Sequence, residues 1–351
     1  MSKTADLPAA NFVRLSALRR NRLLLSLIAL QMVYAIAVSI YVGRSYWDFS
    51  TSSLIVISVR LLGFMFANFV LWRLGVAMFV VRPKKPIQWM LQDLRSKMAD
   101  VEKATDAVIC FLSIVALILT YTFLKNEIHA VNPTLWDEQF VQWDRFLHGG
   151  VDPWTLLWPI LGSPIVTTAI NGAYHIWFPM IYIAVCVACL DRSDPNRSTV
   201  FLVAFALCWF VGGNVIATIF ASVGPVYYEP FNLGSDFVPQ MELLRKSHEI
   251  SPVWALNVHE MLLDGYRNNG LAGGISAMPS MHVASTVLLA FYGFTYSRWL
   301  GWALSVFAFI ILLGSVHLAW HYAIDGYVSI LLASCFWWLS KRLTAKFGPS
   351  T

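Results

Sequence analysis

Two histidines and an aspartate stand close together near the carboxyl end of the chain. His317, His321 and Asp325 are spaced four residues apart in the segment HLAWHYAIDG. On a continuous α-helix this spacing places all three side chains on one face. An aspartate one turn after a histidine can accept a hydrogen bond from one ring nitrogen and leave the other free to attack. The pattern predicts that His321 is a nucleophile and that Asp325 orients it.

A second segment supplies groups that suit a phosphate. GGISAMPSMHVAST, which lies about 40 residues upstream, has Pro279 and Ser280 where a helix is expected to begin. The first amides of a helix are unpaired and carry the positive end of its dipole, so they favour an anion. His282 falls in the first turn, beside that anion site. The two segments together predict phosphoryl transfer through a phosphohistidine, with no cofactor and no metal.

The composition predicts that the lipid bilayer surrounds most of the chain. It is 58% hydrophobic and 13% charged, whereas soluble domains carry roughly a quarter charged residues. No basic block with interleaved aromatic residues is present, which argues against nucleic-acid binding. We expect an all-α integral membrane protein with about eight transmembrane helices. The apolar runs lie at about 23–42, 54–81, 106–124, 165–189, 198–222, 281–297, 299–319 and 323–340.

The lysines and arginines predict how the chain is oriented. If the spans alternate, the basic clusters, which include Arg14 and Arg192, fall on one side, and that side is expected to be cytoplasmic. Both termini would then be cytoplasmic, and the loops 125–164 and 223–280 would face away from the cytoplasm of a bacterial inner or plasma membrane. We expect residues 1–105 to form a tail, two extra spans and an interfacial helix. Residues 106–345 would form the catalytic core.

The two histidine segments carry a family resemblance. PSMH at 279–282 followed by HYAID at 321–325 resembles the second and third signature motifs of the type 2 phosphatidic acid phosphatase superfamily. The resemblance covers roughly 106–340 and implies a core of six membrane helices. It also implies that His321 is the nucleophile, that Asp325 orients it, and that His282 protonates the leaving group.

The chain departs from that pattern at two places. The lipid phosphatases usually carry an arginine six residues before the nucleophile, where this chain has Ser315, and a lysine and Arg-Pro motif, where it reads ASVGPVYYEP. HYAID without the arginine resembles the lipid phosphotransferase branch, which includes the inositol phosphorylceramide and sphingomyelin synthases. SVGPVYY resembles a segment of bacterial members of that branch, so Tyr227 is a candidate substrate contact. The resemblance implies a phospholipid donor, an inositol-phosphate-like headgroup, and a lipid or water as acceptor.

Several further residues are candidates for substrate binding. A cation is expected beside a transferring phosphoryl group, and Arg245, Lys246 or Arg267 of the outer loop could provide it. His175, within the fourth apolar run, is a candidate for holding a lipid hydroxyl; otherwise it is a buried, hydrogen-bonded histidine. His317 is expected to support the site or to contact the acceptor.

Other functions remain open at this point. Hydrolysis by the same residues is the nearest alternative. His317, His321 and Asp325 on one helix could instead bind a metal ion, as in a metal-dependent membrane enzyme or a metal transporter. A non-catalytic lipid-binding scaffold is a third possibility. Within 223–280 we expect two short helices, the second starting at Ser251–Pro252, which form a lid over the site. Whether the protein oligomerises stays open.

Overall fold

The computed structural model of the chain describes residues 16–191, 194–268, 270 and 273–348. Within these ranges the regular structure is helical and no β-strand occurs, so the expected all-α membrane fold is confirmed. Residues 1–15 of the predicted tail, with Arg14, and also Arg192 lie outside the described residues. The helices, in chain order, are α1 (Arg22–Val42), α2 (Tyr46–Gly75), α3 (Pro86–Ala99), α4 (Val101–Asn126), α5 (Ile128–Val131), α6 (Asp137–Leu147), α7 (Pro153–Leu161), α8 (Pro164–Leu190), α9 (Pro195–Ile219), α10 (Val238–Ile250), α11 (Ala255–Arg267), α12 (Met281–Phe294), α13 (Arg298–His317) and α14 (Ala323–Phe347).

Seven helices in the described part of the chain are long and apolar enough to cross a membrane. They are α1, the end of α2 with its π-helical continuation Val76–Val81, α4, α8, α9, α13 and α14. The sixth predicted run forms α12, which has only 14 residues. At 1.5 Å per residue it is about 21 Å long, less than the thickness of the hydrocarbon core. The expected eight spans are therefore seven full-length helices and one short helix, α12, whose first turn belongs to the site.

Polar contacts within the apolar interior join the first two spans to the rest. Gln31 of α1 donates from Nε2 to Oδ1 of Asn214 in α9 over 3.0 Å, and both residues are fully buried. The hydroxyls of Tyr46 in α2 and Thr120 in α4 lie 2.9 Å apart. Hydrogen bonds between membrane helices contribute roughly 1 kcal/mol each. The N-terminal helix pair is thus packed directly on the bundle.

Contacts between helix ends show which termini share one end of the bundle. Arg22, at the start of α1, donates to the carbonyl oxygen of Phe347, at the end of α14, over 2.7 Å. Arg20 pairs with Asp106 near the start of α4 over 2.8 Å. The described basic residues of the chain's two ends therefore lie together, as the charge pattern predicts. The side of the membrane that this end faces stays a prediction.

The chain reverses direction between α13 and α14, and this turn builds the site. Helix α13 ends at His317 and α14 begins at Ala323. Between them Ala319 adopts a left-handed conformation with φ of 61°, and the carbonyl of Ser315 accepts from the amides of Trp320 and His321 at 3.0 Å each. The prediction that His317, His321 and Asp325 lie on one helical face is wrong, because no helix runs through all three.

Candidate active site

His321 is held in one orientation by the main chain. It lies in the turn before α14 and is 5% exposed. Its Nδ1 is 2.8 Å from the carbonyl oxygen of Ala277 and 3.4 Å from Oδ2 of Asp325. A carbonyl oxygen can only accept, so Nδ1 carries the proton and Nε2 keeps its lone pair. Burial lowers the pKa of His321 to about 3, which keeps the ring neutral, as a nucleophile must be.

Asp325 is fixed by the start of α14 as well as by His321. It is fully buried, and its Oδ2 accepts from the backbone amide of Tyr322 over 3.1 Å. This bond is half of a capping box at the helix N-terminus. Its Oδ1 has no hydrogen-bond partner among the described residues. The carboxylate therefore supports the ring of His321 at longer range than the carbonyl of Ala277 does.

His282 faces His321 from the first turn of α12. The two imidazole centroids are 5.9 Å apart, close enough for both rings to contact one phosphate ester. Tyr174 stacks on His282 at 4.4 Å and Trp177 packs against it at 4.1 Å. The ring nitrogens of His282 form no hydrogen bond with the residues that the structure describes. His321 is thus oriented by the groups around it. The ring of His282 is packed between aromatic side chains, and its nitrogens remain available to a ligand.

Ser280 caps α12 and leaves its first amides unpaired. Its Oγ accepts from the amide of Val283 over 3.4 Å, and its carbonyl accepts from Ala284 over 2.9 Å. The amides of Met281 and His282 have no backbone partner among the described residues. The helix start beside the two histidines therefore has the geometry that was predicted for an anion site.

Lys125, which the sequence reasoning missed, brings a positive charge to the two histidines. It lies at the end of α4, near enough to His282 and His321 that a positive charge on its ammonium group would disfavour protonation of both rings. Gly274 allows this approach, since a Cβ there would lie 2.7 Å from Cγ of Lys125. The signal in the sequence was a lysine that ends the third apolar run, on the side of the membrane predicted for the histidines. The cations named from the sequence, Arg245, Lys246 and Arg267, all belong to the second outer loop.

Two carboxylates of α6, also missed, hold the turn around His321. Asp144 accepts from the amides of Ala323 and Ile324 over 2.7 and 2.8 Å. Asp137 accepts from the amide of Gly224 over 2.9 Å and from the hydroxyl of Tyr322 over 2.8 Å. Burial raises the pKa of both carboxyls, that of Asp144 to about 6. Their seven-residue spacing, which places both on one helical face, was the available signal.

His317 is turned away from the other two members of its segment. Its Nε2 lies 3.0 Å from the hydroxyl of Thr167, and its ring stacks on Trp158 at 4.9 Å. The described residues contain no group of three His, Cys, Asp or Glu side chains that could hold a metal ion. The proposed ligand set of His317, His321 and Asp325 is therefore not assembled by the fold.

The remaining candidates occupy different places. Arg245 and Lys246 are exposed on α10, with no hydrogen bond or ion pair to any described residue. Arg267 is also exposed and lines a cavity at the end of α11. Tyr227 is buried and donates to the carbonyl of His259 in α11 over 3.0 Å, so it anchors the second loop helix. The two loop helices exist as expected, and their action as a lid stays a prediction.

His175 lies on α8 with its ring partly covered by a loop helix. Its Nδ1 is 2.8 Å from the carbonyl of Asn171, and Trp254 lies edge-on to the ring at 5.7 Å. It follows Tyr174, whose ring stacks on His282, so it is near the site. The alternative of a buried, hydrogen-bonded histidine agrees with the structure in the hydrogen bond but not in burial, since the residue is exposed. Its contact with a lipid hydroxyl stays a prediction.

A comparison of the sequence with protein families agrees with this geometry. The family model of the PAP2 superfamily matches residues 138–339, which is more than half of the chain. The matched segment contains His282, His321 and Asp325, and Lys125 lies before it. No curated protein and no solved structure matches the chain. On the strength of that match the chain belongs to the PAP2 superfamily, whose members share an all-α membrane fold.

Proposed function

We propose that this protein is a membrane lipid phosphotransferase or phosphatase that works through a phosphohistidine. The observation that carries the proposal is the 2.8 Å contact between Nδ1 of His321 and the carbonyl of Ala277. It fixes the tautomer in which Nε2 is the nucleophile. His282 lies across the gap as the acid and base.

The proposed reaction has two balanced steps. In the first, Nε2 of His321 attacks phosphorus and the bond from phosphorus to the lipid oxygen breaks. His282, whose protonated form is favoured once the anionic phosphate binds beside it, gives that oxygen its proton. In the second, a hydroxyl of the acceptor attacks phosphorus, the bond to Nε2 breaks, and His282 takes the hydroxyl proton. The unpaired amides after Ser280 and the charge of Lys125 stabilise the phosphoryl oxygens in both steps.

Transfer to a lipid is the version of this function that we favour. The phosphate site is enclosed by Tyr174, Trp177 and Trp320, whose rings pack around His282, and such a wall limits the entry of water. The absence of the phosphatase arginine at Ser315 points the same way, and the resemblance to the phosphotransferase branch implies an inositol-phosphate-like headgroup. Hydrolysis needs the same residues with water as acceptor, so it is the second candidate.

The topology supports a site on the outer face. Lys125 ends α4 and His321 precedes α14, whereas Asp106 and Phe347 lie near the opposite ends of the same helices. The site is thus at the end of the bundle away from the described basic termini. If those termini are cytoplasmic, as the positive residues predict, the substrate is reached from the outer leaflet.

The decisive experiment measures the products formed by purified protein in detergent with EDTA present. Headgroup-labelled phospholipids are supplied with and without diacylglycerol or ceramide, and the His321→Ala variant is the control. A labelled new lipid that the variant does not form supports a phosphotransferase. Free phosphate or free phospho-headgroup supports a hydrolase. Activity that appears only when zinc replaces EDTA contradicts the proposed mechanism.

A further inference from the structure

A polar cavity lies at one end of the segment that leads to Ala277, and it has no role in the proposed chemistry. Its volume is about 830 Å³, within the range of about 300–1,000 Å³ that is usual for ligand sites. It is enclosed by the turn between α1 and α2, the end of α4, α5 and the end of α11. The lining residues that matter here are Arg44, Asn126, Glu127, His129 and Arg267.

Glu127 has a buried carboxylate oxygen that lacks a partner. The residue is 4% exposed, and its Oε1 pairs with Arg44 over 3.3 Å. Its Oε2 is buried without a hydrogen bond to any described residue. Leaving such an oxygen unsatisfied is unfavourable. Because Oε2 is covered, a small rotation of the Glu127 side chain towards the cavity would bring it to a ligand that donates a proton, such as a hydroxyl.

Arg267 provides a positively charged donor group that has no partner among the described residues. Its guanidinium lines the cavity and forms no ion pair or hydrogen bond within the described part of the chain. Guanidinium groups bind phosphate and carboxylate oxygens strongly. With Arg44 beside it, the cavity carries two positive charges against the single carboxylate of Glu127. An ammonium headgroup would be repelled, and an anion would be attracted.

His129 adds an uncharged acceptor to the lining. Its Nε2 is 2.9 Å from the carbonyl oxygen of Ile275, so Nε2 carries the proton and Nδ1 is left to accept. Burial lowers the pKa of His129, and the ring is therefore neutral near pH 7. The cavity lining thus offers both donors and acceptors, as hydroxyl groups require.

One extended segment connects this cavity to the nucleophile. Gly273 lines the cavity, the carbonyl of Ile275 bonds to His129, and the carbonyl of Ala277 bonds to His321. Four residues of extended chain span at most about 13 Å. A headgroup in the cavity is therefore near a phosphate on His321. The two sites are nevertheless distinct, because the phosphate on His321 has its own binding groups, namely Lys125 and the amides at the start of α12.

We propose that this cavity binds the headgroup of the second lipid, the acceptor, and that this lipid is anionic and bears hydroxyl groups. Two separate anion sites fit two anionic substrates better than one anionic and one neutral substrate. The anionic group lies against Arg267 and Arg44, and a hydroxyl donates to Glu127. The inference rests on the proposed function in one respect, namely that two lipids react; the binding site itself does not depend on it.

Binding of labelled glycerol 3-phosphate to the detergent-purified protein tests the site directly. Arg267→Gln is expected to weaken binding by about tenfold or more, whereas Arg298→Gln, an equivalent change of an exposed arginine at the other end of the bundle, leaves it unchanged. Phosphoethanolamine, of similar size but with an ammonium group, is expected to bind at least about tenfold more weakly than glycerol 3-phosphate. Glu127→Gln should reduce the preference for glycerol 3-phosphate over inorganic phosphate.

Competition by lipids shows whether the anionic group that the cavity binds belongs to a lipid headgroup. Phosphatidylglycerol is expected to displace glycerol 3-phosphate, and neutral diacylglycerol is not. Binding that survives Arg267→Gln would locate the anion at the phosphate site of His321 and overturn the inference. Displacement by diacylglycerol, or none by phosphatidylglycerol, would overturn the assignment to an anionic lipid. If the binding of glycerol 3-phosphate depends on Arg267 but the protein turns over no phospholipid, the proposed function is wrong and the anion site is still supported.

Discussion

The carbonyl oxygen of Ala277 lies 2.8 Å from Nδ1 of His321, closer than the carboxylate of Asp325 at 3.4 Å. The segment that leads into α12 therefore sets the tautomer of a histidine that lies 44 residues later in the chain. The carboxyl group of Asp325 therefore orients the ring less directly than that carbonyl does. Because the carbonyl of Ala277 is the closer group, we expect that replacing Asp325 and replacing His321 have different effects.

Replacing Asp325 is expected to harm turnover less than replacing His321. Asp325→Asn keeps a side-chain oxygen for the amide of Tyr322 but removes the charge near the ring. Loss of one interaction with a charged group lowers the rate by about tenfold to a hundredfold, whereas His321→Ala removes the nucleophile and lowers it by about 10⁴-fold. Rates with a labelled phospholipid test this. Equal losses in the two variants would show that the carbonyl of Ala277 does not suffice.

In the first step, His282 is expected to matter only when the leaving group needs a proton. His282→Gln should lower turnover of a natural phospholipid by about 10²–10⁴-fold. A nitrophenyl phosphate ester leaves without protonation, so its burst of nitrophenol should be nearly unchanged. Stopped-flow absorbance measures that burst. A burst lost to the same extent as lipid turnover would argue against His282 as the acid of the first step.

Lys125 is expected to act through its charge on the phosphoryl group. Lys125→Gln should lower turnover by about 10²–10³-fold through loss of electrostatic stabilisation, and Lys125→Arg should restore part of it. Lys341→Gln, at an exposed site with no hydrogen bond or ion pair to a described residue, is the matched control and should have no effect. Steady-state rates of the three variants settle the point. Full activity in Lys125→Gln would show that Lys125 is not the cation that stabilises the phosphoryl group.

Asp144 is expected to make stability depend on pH. Its pKa in the folded chain, about 6, lies above the ordinary 3.8 because burial disfavours the ionised carboxyl. The folded state therefore binds this proton more tightly than the unfolded state. The resulting stabilisation is complete below the unfolded pKa and is lost as the pH rises through the folded pKa.

Asp144→Asn removes that dependence. Between about pH 4 and pH 7, the wild type should lose up to about 3 kcal/mol of unfolding free energy relative to the variant. Thermal unfolding in detergent at several pH values measures the difference. Parallel pH profiles for the two proteins would mean that Asp144 titrates alike in the folded and unfolded states.

Much of the membrane architecture could be predicted from sequence because apolar runs must match the thickness of the bilayer. The predicted spans agree with α1, α4, α8, α13 and α14 to within a few residues at most ends. The exception is instructive. The run 281–297 is apolar enough for a span, but its helix stops at Phe294, and hydropathy alone does not distinguish a short buried helix from a spanning one.

Sequence also determined which residues are candidates for the chemistry. His321, Asp325, His282 and Ser280 could be named because each stands in a short local pattern, next to a helix start or one turn from its partner. Local patterns failed for His317. It has the same spacing from His321 as Asp325 has, but the turn at Ala319 points it towards Thr167.

Only the tertiary structure decided which distant groups meet. Lys125 is 196 residues from His321 in the printed sequence, and Arg44 reaches Glu127 across two spans. Nothing local in the chain marks such pairs, since their approach depends on how whole helices pack. The amino-acid sequence thus fixes hydrophobicity, helix starts and reactive side chains. The packing of α4, α6, α12 and α14 fixes the charge, the tautomer and the cavity around them.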